Sequence, residues 1–321
     1  MRTLQRWTTA FAFLGALAAG AAAAPPQMHA QAPGYYRTEV GKFEITALFD
    51  GFFIGDTSGL KGIEPAAIAP LFARAFAGDG KKSVLSVNAF LVHTGDHLVL
   101  VDTGAAQCFG PGLGQLPVNL RAAGYAPEDI DTILLTHAHG DHYCGLETAD
   151  GKRAYPRATV WLAEEEAAYW LDEKLAAAQP KDRQDAFANA RKVFALYEAG
   201  GALRTFKSGE AILPGVTAIG AHGHTPGHTT FLFQSQGQSF LAVGDILHVH
   251  EIQFARPEVV EPYDADPKAA VAVRKALFAQ LATNRWEIGA AHLPFPGIGH
   301  IRKSGAAYEF VPLAYAPLQE N

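Results

Sequence analysis

The run Thr132-Ile133-Leu134-Leu135-Thr136-His137-Ala138-His139-Gly140-Asp141-His142 decides how this chain is read. Its first four residues form a short apolar run, the pattern of a buried strand. The strand then ends in a tight loop with Gly140, which presents three imidazoles and one carboxylate. His137 and His139 are two apart, so an extended backbone points both to one side. Asp141 and His142 fall in the turn and can face a second point a few Å away. Imidazole with carboxylate suits zinc, iron, manganese or cobalt.

Working outward, strand and helix signals alternate along the chain. Phe43 to Phe49 alternates as a strand, with Asp50-Gly51 as a turn after it. Asn88–Val92 and His97–Val101 read as a hairpin around Gly95-Asp96. Further apolar runs lie at Thr159–Leu162, Val216–Ile219, Thr229–Phe233, Phe240–Val243 and Ile288–Ala291. Helix signals fall at about 65–77, 115–124, 164–175, 183–199 and 267–283. No Pro/Gly-rich linker divides the chain. The pattern predicts one α/β domain, with two sheets buried between helix layers.

Composition narrows the class. The 321 residues are 49% hydrophobic and 18% charged, enough to build a sizeable core. The net charge of -6, with no basic block, argues against a nucleic-acid partner, which would need a Lys/Arg surface. Two cysteines, Cys108 and Cys144, are too few for a disulfide scaffold or a Cys-based zinc ribbon. Whether they pair is open at this point.

Residues 1–23 have the layout of a secretory signal peptide. Arg2 and Arg6 open it, an Ala-rich apolar run follows, and small residues end it near Ala22 and Ala23. The apolar stretch is too short to span a membrane well, so no stable insertion is expected after cleavage. Residues 24–36 read as a flexible lead-in and residues 37–321 as the domain. Export to a bacterial periplasm is the expected destination.

The histidine run resembles the HxHxDH signature of the metallo-β-lactamase superfamily, matched in full by His137, His139, Asp141 and His142. Later features follow in that family's order: His224 in Gly223-His224-Thr225-Pro226-Gly227-His228, Asp245 after an apolar run, and His292. Asp102-Thr103-Gly104 is similar to the family's early aspartate turn. Gly244 to His248, the stretch from His292 to His300, and Phe109-Gly110-Pro111 resemble the methyl parathion hydrolase-like branch. The resemblance covers about residues 37–312 and implies the αββα sandwich, two mixed sheets between helical layers.

It also implies roles. His137, His139 and His224 would hold one metal; Asp141, His142 and His292 would hold the other; Asp245 would bridge them. The cofactors would be two divalent ions, zinc first, with manganese, cobalt or iron as alternatives. Asp102 would support a ligand imidazole, and His228 would be structural or support the site. His248 stands three residues after the bridging aspartate, where some lactonases of the superfamily carry tyrosine. It is a candidate proton donor to a leaving group. Phe109 and Trp170 are candidate pocket walls.

The expected function is a secreted dinuclear hydrolase, whose metal-bridging hydroxide attacks small neutral esters, lactones or organophosphotriesters. A β-lactamase is the first alternative, and Asp245 speaks against it. A non-catalytic periplasmic metal-binding protein is the second. A homodimer is a family expectation only.

Overall fold

The computed structural model describes residues 24–318; the expected signal peptide, residues 1–23, lies outside them. Residues 24–32 carry no helix or strand, and the compact body begins at Pro33.

Fourteen strands are ordered among the described residues. The first sheet takes β1 (Tyr35–Val40), β2 (Phe43–Asp56), β3 (Lys82–His93), β4 (Leu98–Val101), β5 (Thr132–Leu134), β6 (Thr159–Ala163) and β7 (Leu203–Phe206) in sequence order. Its β1–β4 half is antiparallel and its β4–β7 half parallel. The second sheet takes β8 (Ala211–Leu213), β9 (Val216–Gly220), β10 (Thr229–Ser235), β11 (Gln238–Gly244), β12 (Glu287–Ala290), β13 (Ile298–Ser304) and β14 (Ala307–Pro312). Only β11 and β12 run parallel there. Both sheets are therefore mixed.

The period-2 alternation of strand side chains divides the apolar residues between the layers. Val99 and Val101 join Ile45, Phe90, Phe231, Phe233 and Phe240 in a core between the sheets. Leu98 and Leu100, on the opposite face of the same strand, pack with Phe187 and Phe194 of the helix Lys181–Glu198. The helix Pro267–Asn284 covers the second sheet with Leu277, Phe278 and Leu281 against Ile288. The result is the expected αββα sandwich.

Three local expectations change. Asp50-Gly51 is not a turn: β2 continues through it as a bulge against β3, and the Asp50 carboxylate accepts N–H bonds from Ala105, Gly114 and Leu116. The lead-in ends sooner, because Tyr35 and Tyr36 already pair with Leu48 and Ala47. The helical signal at 164–175 is two short helices, Glu164–Trp170 and Glu173–Ala178, with Asp172 capping the second.

Strand direction places the site. The parallel pairs β4/β5 and β11/β12 end at Asp102, Thr136–His142, Asp245 and His292, so these residues gather where strands from both sheets terminate. Gly244, at φ +55°, is needed there: a Cβ would lie 2.7 Å from His228 Nε2 and 2.9 Å from Thr136 Cβ.

Candidate metal centre

Two donor groups converge at these strand ends. His137, His139, His224 and Asp245 form one, and Asp141, His142 and His292 form the other, each with its donor atoms within 4.8 Å of one another. A third grouping joins Asp245, His248 and His292. All seven residues read as ligands in the sequence lie here, from four separate chain segments.

Outer hydrogen bonds fix the tautomers. His142 Nδ1 lies 2.9 Å from Asp102 Oδ2, His224 Nδ1 3.0 Å from Asp264 Oδ1, and His292 Nδ1 2.7 Å from the Ser86 carbonyl. Carboxylates and carbonyls only accept, so each Nδ1 carries the proton and each Nε2 turns a lone pair inward. For His137 the partner is the Thr136 hydroxyl, 3.1 Å from its Nδ1, which itself donates to Asp102. The inward nitrogens of His137 and His224 each lie 3.0 Å from Nδ1 of His139. One proton on His139 Nδ1 could satisfy only one of those two lone pairs, whereas a cation among the three nitrogens would satisfy all of them. His142 Nε2 of the second group and Asp245 Oδ1, 3.2 Å from it, are both buried without hydrogen-bond partners. The donor set thus fits divalent metal in both groups.

The electrostatics agree. Burial, reinforced by the neighbouring imidazoles, holds His137 far below its ordinary pKa and His139 down at about 3. At His224 burial also pulls down, but hydrogen bonds to Asp245 and Asp264 outweigh it and lift the ring to about 9. His142 is raised against its burial by Asp245, Asp141 and Asp102. The carboxylates thus draw positive charge into a buried place, the demand that a metal cation meets.

Asp102 accepts from the His142 imidazole and also from Thr136 N and Oγ1. His228 accepts the Asp245 N–H on its Nε2 at 2.9 Å, so it steadies the backbone of the shared carboxylate. His248 places Nε2 3.0 Å from Asp245 Oδ2, with its ring stacked on His292. Sequence reasoning missed Asp264, the Ser86 carbonyl and Glu166. Cys108 and Cys144 form a disulfide that ties the Phe109 loop to the helix of the histidine run.

A cavity of about 650 Å³ opens over the donors. Its floor includes His139, Asp141, Asp245, His248 and His292, and its walls include Phe53, Leu85, Phe109, Trp170 and Tyr263. Phe109 stacks on Phe53, and Trp170 meets His139 edge-on at 5.6 Å.

The model of the metallo-beta-lactamase superfamily matches residues 83–292. The chain belongs to this superfamily. Among solved structures, the hydrolase AbOPH of the beta-lactamase superfamily is 41% identical, over 90% of this chain and 100% of that one, with a TM-score of 0.86. AidC, a dizinc quorum-quenching lactonase solved with its product, is 25% identical over 88% and 99% of the two chains, with a TM-score of 0.82. Ribonuclease TTHA0252 of Thermus thermophilus is 31% identical over 169 residues, 50% of this chain and 35% of its own length. The chain spans about a third or less of the curated relatives it matches. It carries the fold and metal-donor set of the superfamily's metal-dependent hydrolases, and no helix among the described residues is long and apolar enough to cross a membrane.

Proposed function

We propose that this chain is an exported dinuclear hydrolase of small neutral esters, lactones or organophosphotriesters. His137, His139 and His224 would hold one cation, Asp141, His142 and His292 the other, and Asp245 both. The observation that carries this reading is the reach of Asp245. Its Oδ2 lies 3.3 Å from His224 Nε2 and 3.2 Å from His292 Nε2, so one carboxylate is within reach of both groups. Two divalent cations, zinc first among them, would supply an ionised water and polarise the C=O or P=O under attack.

The chain's own residues supply the rest. The aromatic and aliphatic walls exclude water and receive apolar groups, and no Lys or Arg is among the lining residues. That chemistry favours uncharged substrates over phosphomonoesters or nucleic acids. His248, bonded to Asp245 and facing the cavity, is placed to give a proton to a departing oxygen. The likeness to a dizinc lactonase supports the lactone arm. The signal-like leader and the Cys108–Cys144 disulfide together support export to an oxidising compartment, most simply a periplasm.

The test is a rate panel on metal-loaded protein: aryl esters, acyl-homoserine and aromatic lactones, dialkyl aryl phosphates and a cephalosporin. Turnover concentrated in the first three classes is expected. Dominant cephalosporin hydrolysis would contradict the substrate class, and inertness toward every class with both cations bound would leave a metal-binding protein without turnover.

A further inference from the structure

Glu164, Glu165 and Glu166 open one short helix, and they part company in the fold. The first two face solvent, while Glu166 is fully buried. A buried carboxylate survives only with donors on both oxygens. Those donors are backbone groups of two different metal-binding segments. Oε2 accepts the N–H of Ala138, between His137 and His139, at 3.1 Å. Oε1 accepts the N–H of Gly227, in the turn that carries His224, at 2.9 Å. The turn packs onto the helix so closely that a Cβ on Gly227 would lie 2.5 Å from Glu166 N.

We propose that Glu166 is the positioning residue of the first donor group: its carboxylate ties the His137–His139 segment to the His224 turn and so sets the gap that a cation fills. This rests on the metal reading above and deepens it. His224 is also held by Asp264, but that bond orients the ring. Glu166 instead fixes how far apart the two backbones stand. The same helix ends in Trp170, which packs on His139, so helix placement and ligand placement are one constraint.

Glu166→Gln tests this directly. A glutamine keeps one acceptor, but its NH2 would meet the second N–H, so one segment is released. The readouts are cations per chain after dialysis against a graded chelator, and the visible spectrum of the cobalt-loaded protein. We expect a first-group affinity lower by about 10–100-fold, with the second cation retained and an altered cobalt band. Gly227→Ala, which pushes the turn off the helix, should do the same if the glutamine variant folds poorly. Tyr197→Phe removes buried bonds to Leu146 and Tyr155 away from the donors; it should lower the melting temperature and leave both cations and the spectrum unchanged. Glu166→Gln and Gly227→Ala chains that melt lower yet keep both cations and the wild-type spectrum would overturn the inference. A wild-type chain that takes up no cation would overturn the metal reading and this inference with it.

Discussion

Asp102 Oδ2 stands 2.9 Å from His142 Nδ1, and Asp102 holds this position with a left-handed backbone, φ +60°. Few residues other than glycine adopt that conformation at low cost; Asp and Asn are the usual exceptions. The position therefore selects for both side chain and backbone. Asp102→Asn should keep the fold but weaken retention of the second cation by about 10–100-fold, because an amide is a poorer partner for the ligand imidazole. Chelator titration with elemental analysis reads this. A variant that holds both cations as tightly as the wild type would remove Asp102 from the account.

His248 touches Asp245 but makes no hydrogen bond at its own Nδ1. If it hands a proton to the leaving group, His248→Ala should slow esters of poorly acidic alcohols by about 10²-fold or more and nitrophenyl esters far less. A plot of log kcat against leaving-group pKa should steepen. An equal loss across the series would mean that His248 only buttresses Asp245.

The Cys108–Cys144 disulfide closes a segment with a sequence separation of 36, and Cys108 lines the cavity beside Phe109. Reduction, or Cys108→Ser, should lower stability by about 2–4 kcal/mol. Freed from its anchor, the Phe109 wall should bind aromatic substrates less tightly, so KM rises more than kcat falls. Unchanged KM for aryl substrates in the reduced enzyme would show that Phe109 is held by its stacking on Phe53 alone.

Glu287, the first residue of β12, has a carboxyl oxygen buried without a partner, and burial lifts its pKa to about 7. An acid whose pKa is raised on folding is no burden below its unfolded value near 4.5. Its penalty grows as pH rises from about 4.5 to about 7, because over that range the unfolded chain gains by ionising while the folded chain holds the proton, and it is fully present above about 7. Glu287→Gln should therefore gain on the order of 1–2 kcal/mol at pH 8, allowing for partial solvation, and almost nothing at pH 4. Denaturant midpoints at the two pH values read it; an equal effect at both would contradict the assignment.

What was legible in the sequence follows from distance along the chain. His137, His139, Asp141 and His142 announce themselves because metal chemistry needs rare side chains at tight spacing. The alternation of Leu98 to Val101 reveals a strand buried on both faces, and with it the layered fold. Asp264 and the Ser86 carbonyl were invisible, because each meets its histidine only through tertiary folding, 40 and 206 positions apart. Glu166 was hidden differently: nothing in three consecutive glutamates at a helix start singles one of them out, and only the packing of the Gly227 turn does so. Asp50-Gly51 misled because bulges and turns recruit the same residues. The strands Ile298–Ser304 and Ala307–Pro312 were missed because they lie at the sheet's edge, where charged side chains such as Arg302 and Glu309 blur the apolar alternation.

The central claim is a pair of cations sharing Asp245. Anomalous diffraction from metal-loaded crystals, collected on both sides of the metal's absorption edge, tests it most directly. The account predicts two peaks per chain, about 3.5–4 Å apart, one among His137, His139 and His224 and one among Asp141, His142 and His292, with Asp245 touching both. A single peak at full metal loading, or two that do not share Asp245, would contradict it.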